Sequence, residues 1–176
     1  MKTKRLQQRI CVQNLAAYNR GELIYKWIDL PTDEDELREQ INEVIARGGG
    51  EEYHIPDWEG FPFELSEYMS PYKINEYAQI LEESHVEFEV AEIIIKHVFG
   101  EHCIEDALEC IQDQDFFSLP EISTDKELGY ALADNGFVHL PENFNESFID
   151  FEAIGREWRI DTPIIIRNGY AVWTAS

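Results

Sequence analysis

Residues 64–115 read ELSEYMSPYKINEYAQILEESHVEFEVAEIIIKHVFGEHCIEDALECIQDQD, and their apolar positions recur at helical spacing while almost everything between is Glu or Asp. Ile74, Tyr77, Ala78 and Leu81 define one helical face and Phe88, Ala91, Ile94, Ile95 and Val98 a second, with Ile104 to Ile111 forming a shorter third helix. The outer faces are carboxylates. Residues 61–122 hold fifteen acids against Lys73 and Lys96, a net of −13, whereas residues 1–60 carry −4 and residues 123–176 carry −5 of the total −22. Like charges on adjacent turns, as among Glu82, Glu83, Glu87, Glu89 and Glu92, cost a few tenths of a kcal/mol per pair. A surface selected for stability alone intersperses both signs, so this one asks for a functional reason.

Composition narrows the partners. With 44% hydrophobic and 12% aromatic residues in 176 the chain can bury cores, which separates it from acidic disordered tails. A sequence pI near 4.4 disfavours contact with nucleic acid or anionic membrane and points to basic surfaces. The basic start, Met1 to Arg9, is followed by no apolar signal region, and no run reaches the length of a membrane span, so a cytoplasmic protein is expected. Cys11, Cys103 and Cys110 are odd in number and lie in regular segments, which predicts buried thiols in a reducing compartment rather than a disulfide framework.

The flanks of the acidic stretch read as mixed structure. Arg9 to Leu15 and Glu22 to Leu30 are strand-like and joined by a turn over Ala16 to Gly21. A helix follows, opened by a capping-box-like Thr32 and Asp35, faced by Leu37, Ile41, Val44 and Ile45, and ended at Gly48 to Gly50. Glu51 to Trp58 then predicts a third strand. Beyond the middle segment, Phe116 to Pro120 reads as a connection. Thr124 and Glu127 make a capping box for a helix over Asp125 to Asn135, and Phe148 to Trp158 reads as another helix. Ile164 to Arg167 and Tyr170 to Thr174 flank Asn168-Gly169, the strongest short hairpin signal. The expected fold class is α+β in three small units: an N-terminal α+β unit over 1–61, an acidic helical unit over 62–120 and a C-terminal α+β unit over 121–176.

Catalytic and metal patterns are weak. His97, His102 and Cys103 with Glu101 match no zinc spacing, and Cys110 falls on a helix face that requires apolar residues. The acids around Asp113 and Asp115 lack the Gly and the alternating oxygens of a calcium loop. His54 with Asp57 and Glu59 is the best catalytic grouping, yet a regular strand sends 54 and 57 to opposite faces. No phosphate loop or nucleophile elbow occurs. The expectation is therefore a protein that is not an enzyme and has no cofactor and no metal.

The candidate site is the acidic surface of Glu64, Glu67, Glu76, Glu82, Glu83, Glu87, Glu89, Glu92, Glu101, Glu105, Asp106, Glu109, Asp113 and Asp115. Its charge has the density of a nucleic acid. Duplex DNA carries one charge per about 1.7 Å of axis, so a net of −22 matches roughly 37 Å of duplex. A compact globule of this length is about 40 Å across.

Three segments also carry a resemblance. Asn14-Leu15-Ala16-Ala17-Tyr18-Asn19-Arg20-Gly21-Glu22-Leu23, followed by Trp27 and Pro31, resembles the N-terminal strand pair of the ArdA-type antirestriction proteins of mobile elements. The run from Glu51 to Glu59 resembles that family's next segment, and Phe148-Ile149-Asp150-Phe151-Glu152-Ala153-Ile154-Gly155-Arg156-Glu157 resembles its antirestriction motif. The chain departs from the family pattern at Phe148, Phe151 and Ile154, where Tyr is usual, and at Ala16-Ala17 in place of Gly-Lys. The middle resembles the family in acidic character alone. The resemblance implies a curved, elongated, three-domain homodimer, joined through its C-terminal domain, that imitates bent B-form DNA. It implies as partner the methyltransferase core of a type I restriction-modification enzyme, whose DNA groove it would fill. Phe148, Asp150, Phe151, Glu152, Gly155, Arg156 and Glu157 become the implied motif and dimer contacts. A general acidic chaperone for basic proteins and an unrecognised hydrolase are the alternatives from other classes.

Overall fold

The computed structural model describes residues 7–141 and 145–175, so the basic start of the chain lies largely outside the described residues. It is an α+β fold with two three-stranded antiparallel sheets, and its contacts divide it into two compact units, Met1–Phe88 and Glu89–Ser176.

In the first unit, β1 (Gln8–Asn14) is central, flanked by β2 (Tyr25–Leu30) and β3 (Tyr53–Glu59). The turn expected after β1 is instead a short helix, α1 (Leu15–Asn19). Asn14 causes it. Its side-chain oxygen accepts from the Ala17 N–H at 2.8 Å, and its amide donates to the carbonyls of Val44, Ile45 and Gly49. One buried side chain thus caps two helices, and Gly48 must be glycine because a Cβ there would collide with Asn14.

Helix α2 (Glu34–Gly48) starts one residue later than Thr32 suggests, with Asp33 as N-cap accepting from the Asp35 N–H, while Thr32 bonds Glu36. It packs against β1 and β2, and its Leu37, Ile41 and Val44 are buried, as are Ile10 and Val12 of β1 and Ile28 and Leu30 of β2. Strand β3 contains a bulge between the partners of Cys11 and Gln13, which accommodates Pro56, a residue unable to donate to a ladder. The bulge also overturns the expectation of opposed faces. Asp57 pairs with Cys11 and His54 with Gln13, so both lie on one side of the sheet. Helix α3 (Pro71–Glu83) closes the unit, burying Ile74, Tyr77, Ala78 and Leu81 as their spacing predicts.

The second unit places a sheet between two helical layers. Helix α4 (Phe88–Ile93) continues as a π-helical segment, Ile94–Phe99, and Ile93, Ile94 and Ile95 across the junction are all fully buried. Three consecutive buried positions exceed the single stripe that a surface helix offers. Helix α5 (Ile104–Gln112) packs against this turn. The segment Phe116–Pro120 is a strand, β4, rather than a connection. It pairs with β6 (Tyr170–Thr174), whose other edge takes β5 (Ile165–Arg167). Local pattern could not reveal β4, because its partner lies some fifty residues away in sequence. In the β5–β6 turn Asn168 and Gly169 both have positive φ, 50° and 82°, as the favoured two-residue hairpin requires.

On the other face of the sheet lie α6 (Asp125–Asp134) and α7 (Phe151–Asp161), around a core of Leu119, Ile122, Leu128, Leu132, Ile164, Ala171 and Trp173. The expected capping box of Thr124 and Glu127 is present. Helix α7 begins three residues later than its sequence pattern suggests, because Asp150 caps it by accepting from the Ala153 N–H at 2.9 Å.

Candidate functional site

Helical geometry accounts for the display of carboxylates. In α5 the buried Ala107, Leu108, Cys110 and Ile111 turn Glu105, Asp106 and Glu109 outward, and Asp113 caps the helix end. In α3 the burial of one face leaves Glu76, Glu82 and Glu83 exposed. Glu64, Glu67, Glu101 and Asp115 are exposed in the connecting segments, and Glu87, Glu89 and Glu92 are half-buried. All fourteen predicted acids therefore reach the surface at least in part. Of the two bases in this stretch, Lys73 pairs with Glu76 at 3.2 Å and Lys96 with Glu92 at 3.0 Å. Glu92 also accepts from Asn168 at 3.2 Å, which ties this carboxylate to the C-terminal hairpin.

The residues weighed for chemistry have structural roles. His54 is buried, its Nε2 is 2.8 Å from Gln13 Oε1, and Tyr18 packs edge-on against its ring. His97 lies 2.9 Å from an Arg167 guanidinium nitrogen. Cys110 donates to the Asp115 carbonyl at 3.4 Å, and burial, followed by Asp115 and Asp113, pushes its thiol up. Burial, followed by Asp57, does the same to Cys11. Cys103 is exposed, which corrects the expectation of three buried thiols; all three are unbridged. Among the described residues no group of three or more His, Cys, Asp or Glu is placed to hold a metal ion. Nor is any helix there long and apolar enough to cross a membrane.

The C-terminal motif divides by face. Phe151 is buried and stacks on Tyr130 at 3.9 Å between ring centroids, while Gly155 is buried against α6. Phe148 is 77% exposed, and Glu152, Arg156 and Glu157 also face solvent. Phe148 forms one wall of an open groove shared with Lys126, Tyr130, Ile149 and Glu152.

A family model described as antirestriction protein (ArdA) matches residues 10–172, from β1 into β6. The chain belongs to the ArdA antirestriction family. No curated protein matches the chain. The match spans the N-terminal strands, the acidic helices and the C-terminal motif, so the ArdA assignment covers both compact units rather than one grafted segment. Within an ArdA chain, the buried Asn14 of the N-terminal segment and the buried Gly155 of the motif are explained by packing, and the exposed carboxylates are not. Sequence reading missed the outer face of the first sheet. Its signal was present in the alternation of Tyr25, Trp27 and Asp29 against the buried Ile28 and Leu30.

Proposed function

We propose that this protein blocks type I restriction-modification enzymes by occupying their DNA-binding groove as a DNA mimic. The observation that carries this reading is the display of fourteen carboxylates over residues 64–115, eleven of them exposed and three half-buried, with only Lys73 and Lys96 as bases in the same stretch. Four helical residues rise about 6 Å, close to two steps of a DNA strand at about 3.4 Å each. Glu105 and Glu109 on α5 thus repeat at a spacing that the Lys and Arg of a phosphate-binding groove can engage. The mimic acts without a cofactor and catalyses nothing.

A homodimer built on the C-terminal part, residues 121–176, belongs to the same proposal. Two chains supply −44, equivalent to roughly 75 Å of duplex, which suits a groove longer than one helical turn. The exposed Phe148 and the groove beside it support a contact at that end.

Because methylation and cleavage by a type I enzyme both begin with DNA in the groove, the purified protein should inhibit both in parallel. Methyl transfer and cleavage measured against rising inhibitor check this. Loss of cleavage with methylation intact would refute occupancy of the shared groove.

A further inference from the structure

The outer face of the first sheet carries a chemistry that the acidic helices lack. Residues directly paired across antiparallel strands project to the same side. The register therefore sets Asp29, Arg9 and Glu59 in one row, Trp27, Cys11 and Asp57 in the next, and Tyr25, Gln13 and His54 in the third. The opposite face is the core under α2. On this outer side Tyr25 is 49% exposed, and Tyr18, set against His54, is 52% exposed.

One guanidinium is already held here. Arg9 lies 4.8 Å from the centroid of the Trp27 ring and 2.7 Å from Glu59 Oε2. An aromatic face beneath and a carboxylate beside is an environment that favours arginine over lysine, because the planar guanidinium stacks on the ring while its edge bonds the carboxylate. Tyr25 supplies a second ring on the same side, one row along from Trp27. The exposed Asp29 and Asp57, with no ion pair to either among the described residues, lie beside Arg9 and across the central strand respectively rather than next to Tyr25. Cys11, Gln13 and His54 are buried between them, so a segment crossing the face diagonally meets the Tyr25 ring and an acid one row away.

We infer that this sheet face docks an arginine-bearing segment of a basic protein partner. The inference deepens the proposed function and rests on it for the partner being a basic, DNA-binding protein. It adds a surface that selects arginine by stacking, where the helices attract any cation.

The test measures anisotropy of labelled octa-arginine and octa-lysine peptides with the full chain at about 0.15 M salt. Wild type should bind the arginine peptide about fivefold more tightly. Tyr25→Ala combined with Trp27→Leu should bring the two affinities together, whereas Glu105→Gln with Glu109→Gln should weaken both equally and keep their ratio. Should the double variant fail to fold by circular dichroism, Tyr25→Ala alone, at an exposed position, should still lower the ratio at least about twofold. Equal affinity of the two peptides for wild type overturns the inference, as does an unchanged ratio in the platform variants. A change of assembly state with the ratio intact would mark a second copy of the chain as occupant and equally overturn it. The peptide ratio is read without any restriction enzyme, so its failure is distinguishable from failure to block methylation.

Discussion

Gly129 on α6 and Gly155 on α7 face one another across a helix crossing that admits no side chain at either position. A Cβ on Gly155 would collide with the Asp125 carbonyl oxygen, and one on Gly129 with the Phe151 carbonyl oxygen. The Tyr130–Phe151 stack and the Arg159–Asp125 ion pair at 2.7 Å brace the crossing. Backbone atoms cannot swing aside as a flexible side chain does, so the helices must separate. Gly155→Ala should cost about 1 to 3 kcal/mol and Gly155→Leu more, read as a fall in melting temperature. An unchanged melting point for Gly155→Leu would contradict the crossing. Inhibition lost in these variants follows the loss of α6–α7 packing.

Phe148 is a better probe of assembly, because it touches the fold little and is 77% exposed. Phe148→Asp should leave the melting temperature within a few degrees, since exposed substitutions usually shift stability by no more than about 0.5 kcal/mol. It should weaken dimerisation at least about tenfold. Light scattering across the micromolar range checks this. A wild-type monomer throughout that range would contradict the dimer.

Exposed carboxylates act in small increments. Each is worth at most about 1 kcal/mol, since solvent and salt screen it. Glu83→Lys and Glu109→Lys should therefore each weaken inhibition about fivefold or less, and combinations should accumulate. Glu92→Lys should cost more, because Glu92 also holds Lys96 and Asn168. Abolition of inhibition by Glu83→Lys in a folded protein would replace the distributed surface with a discrete site.

Glu127 gives the capping box a pH dependence. The Ser123 N–H at 2.8 Å, and then Thr124, hold its carboxyl below the usual carboxylate range. A folded-state value below the unfolded one means that the stabilisation is complete above the ordinary glutamate value of about 4.3 and is lost as pH falls through the depressed folded value. Wild type should exceed Glu127→Gln in stability near pH 6, and the gap should narrow toward about pH 3. Melts at the two pH values test the sign. A gap that widens in acid would contradict it.

The elements legible in sequence were those written locally. The periodic faces of α2 and α3, the capping box of α6 and the Asn168-Gly169 hairpin each depend on residues a few positions apart. Three features depended on distant partners and were not legible. Strand β4 exists because β6 pairs with it, α1 because Asn14 is fixed by the end of α2, and the shared face of His54 and Asp57 because Pro56 sits in a bulge. The acidic residues were identifiable as a set, since charge on a helix face is exposed almost by necessity. The arginine-bearing sheet face was not, because recognising it requires the register of all three strands.

Competition with DNA is the most direct test of mimicry. A labelled duplex bound to a purified type I methyltransferase core should be released by stoichiometric protein, in parallel with its binding to the core, and both should weaken as salt rises. A histone-like protein, lacking a shaped DNA groove, should bind far less tightly. Binding to the core that leaves the duplex in place, or equal affinity for the histone-like protein, would contradict DNA mimicry.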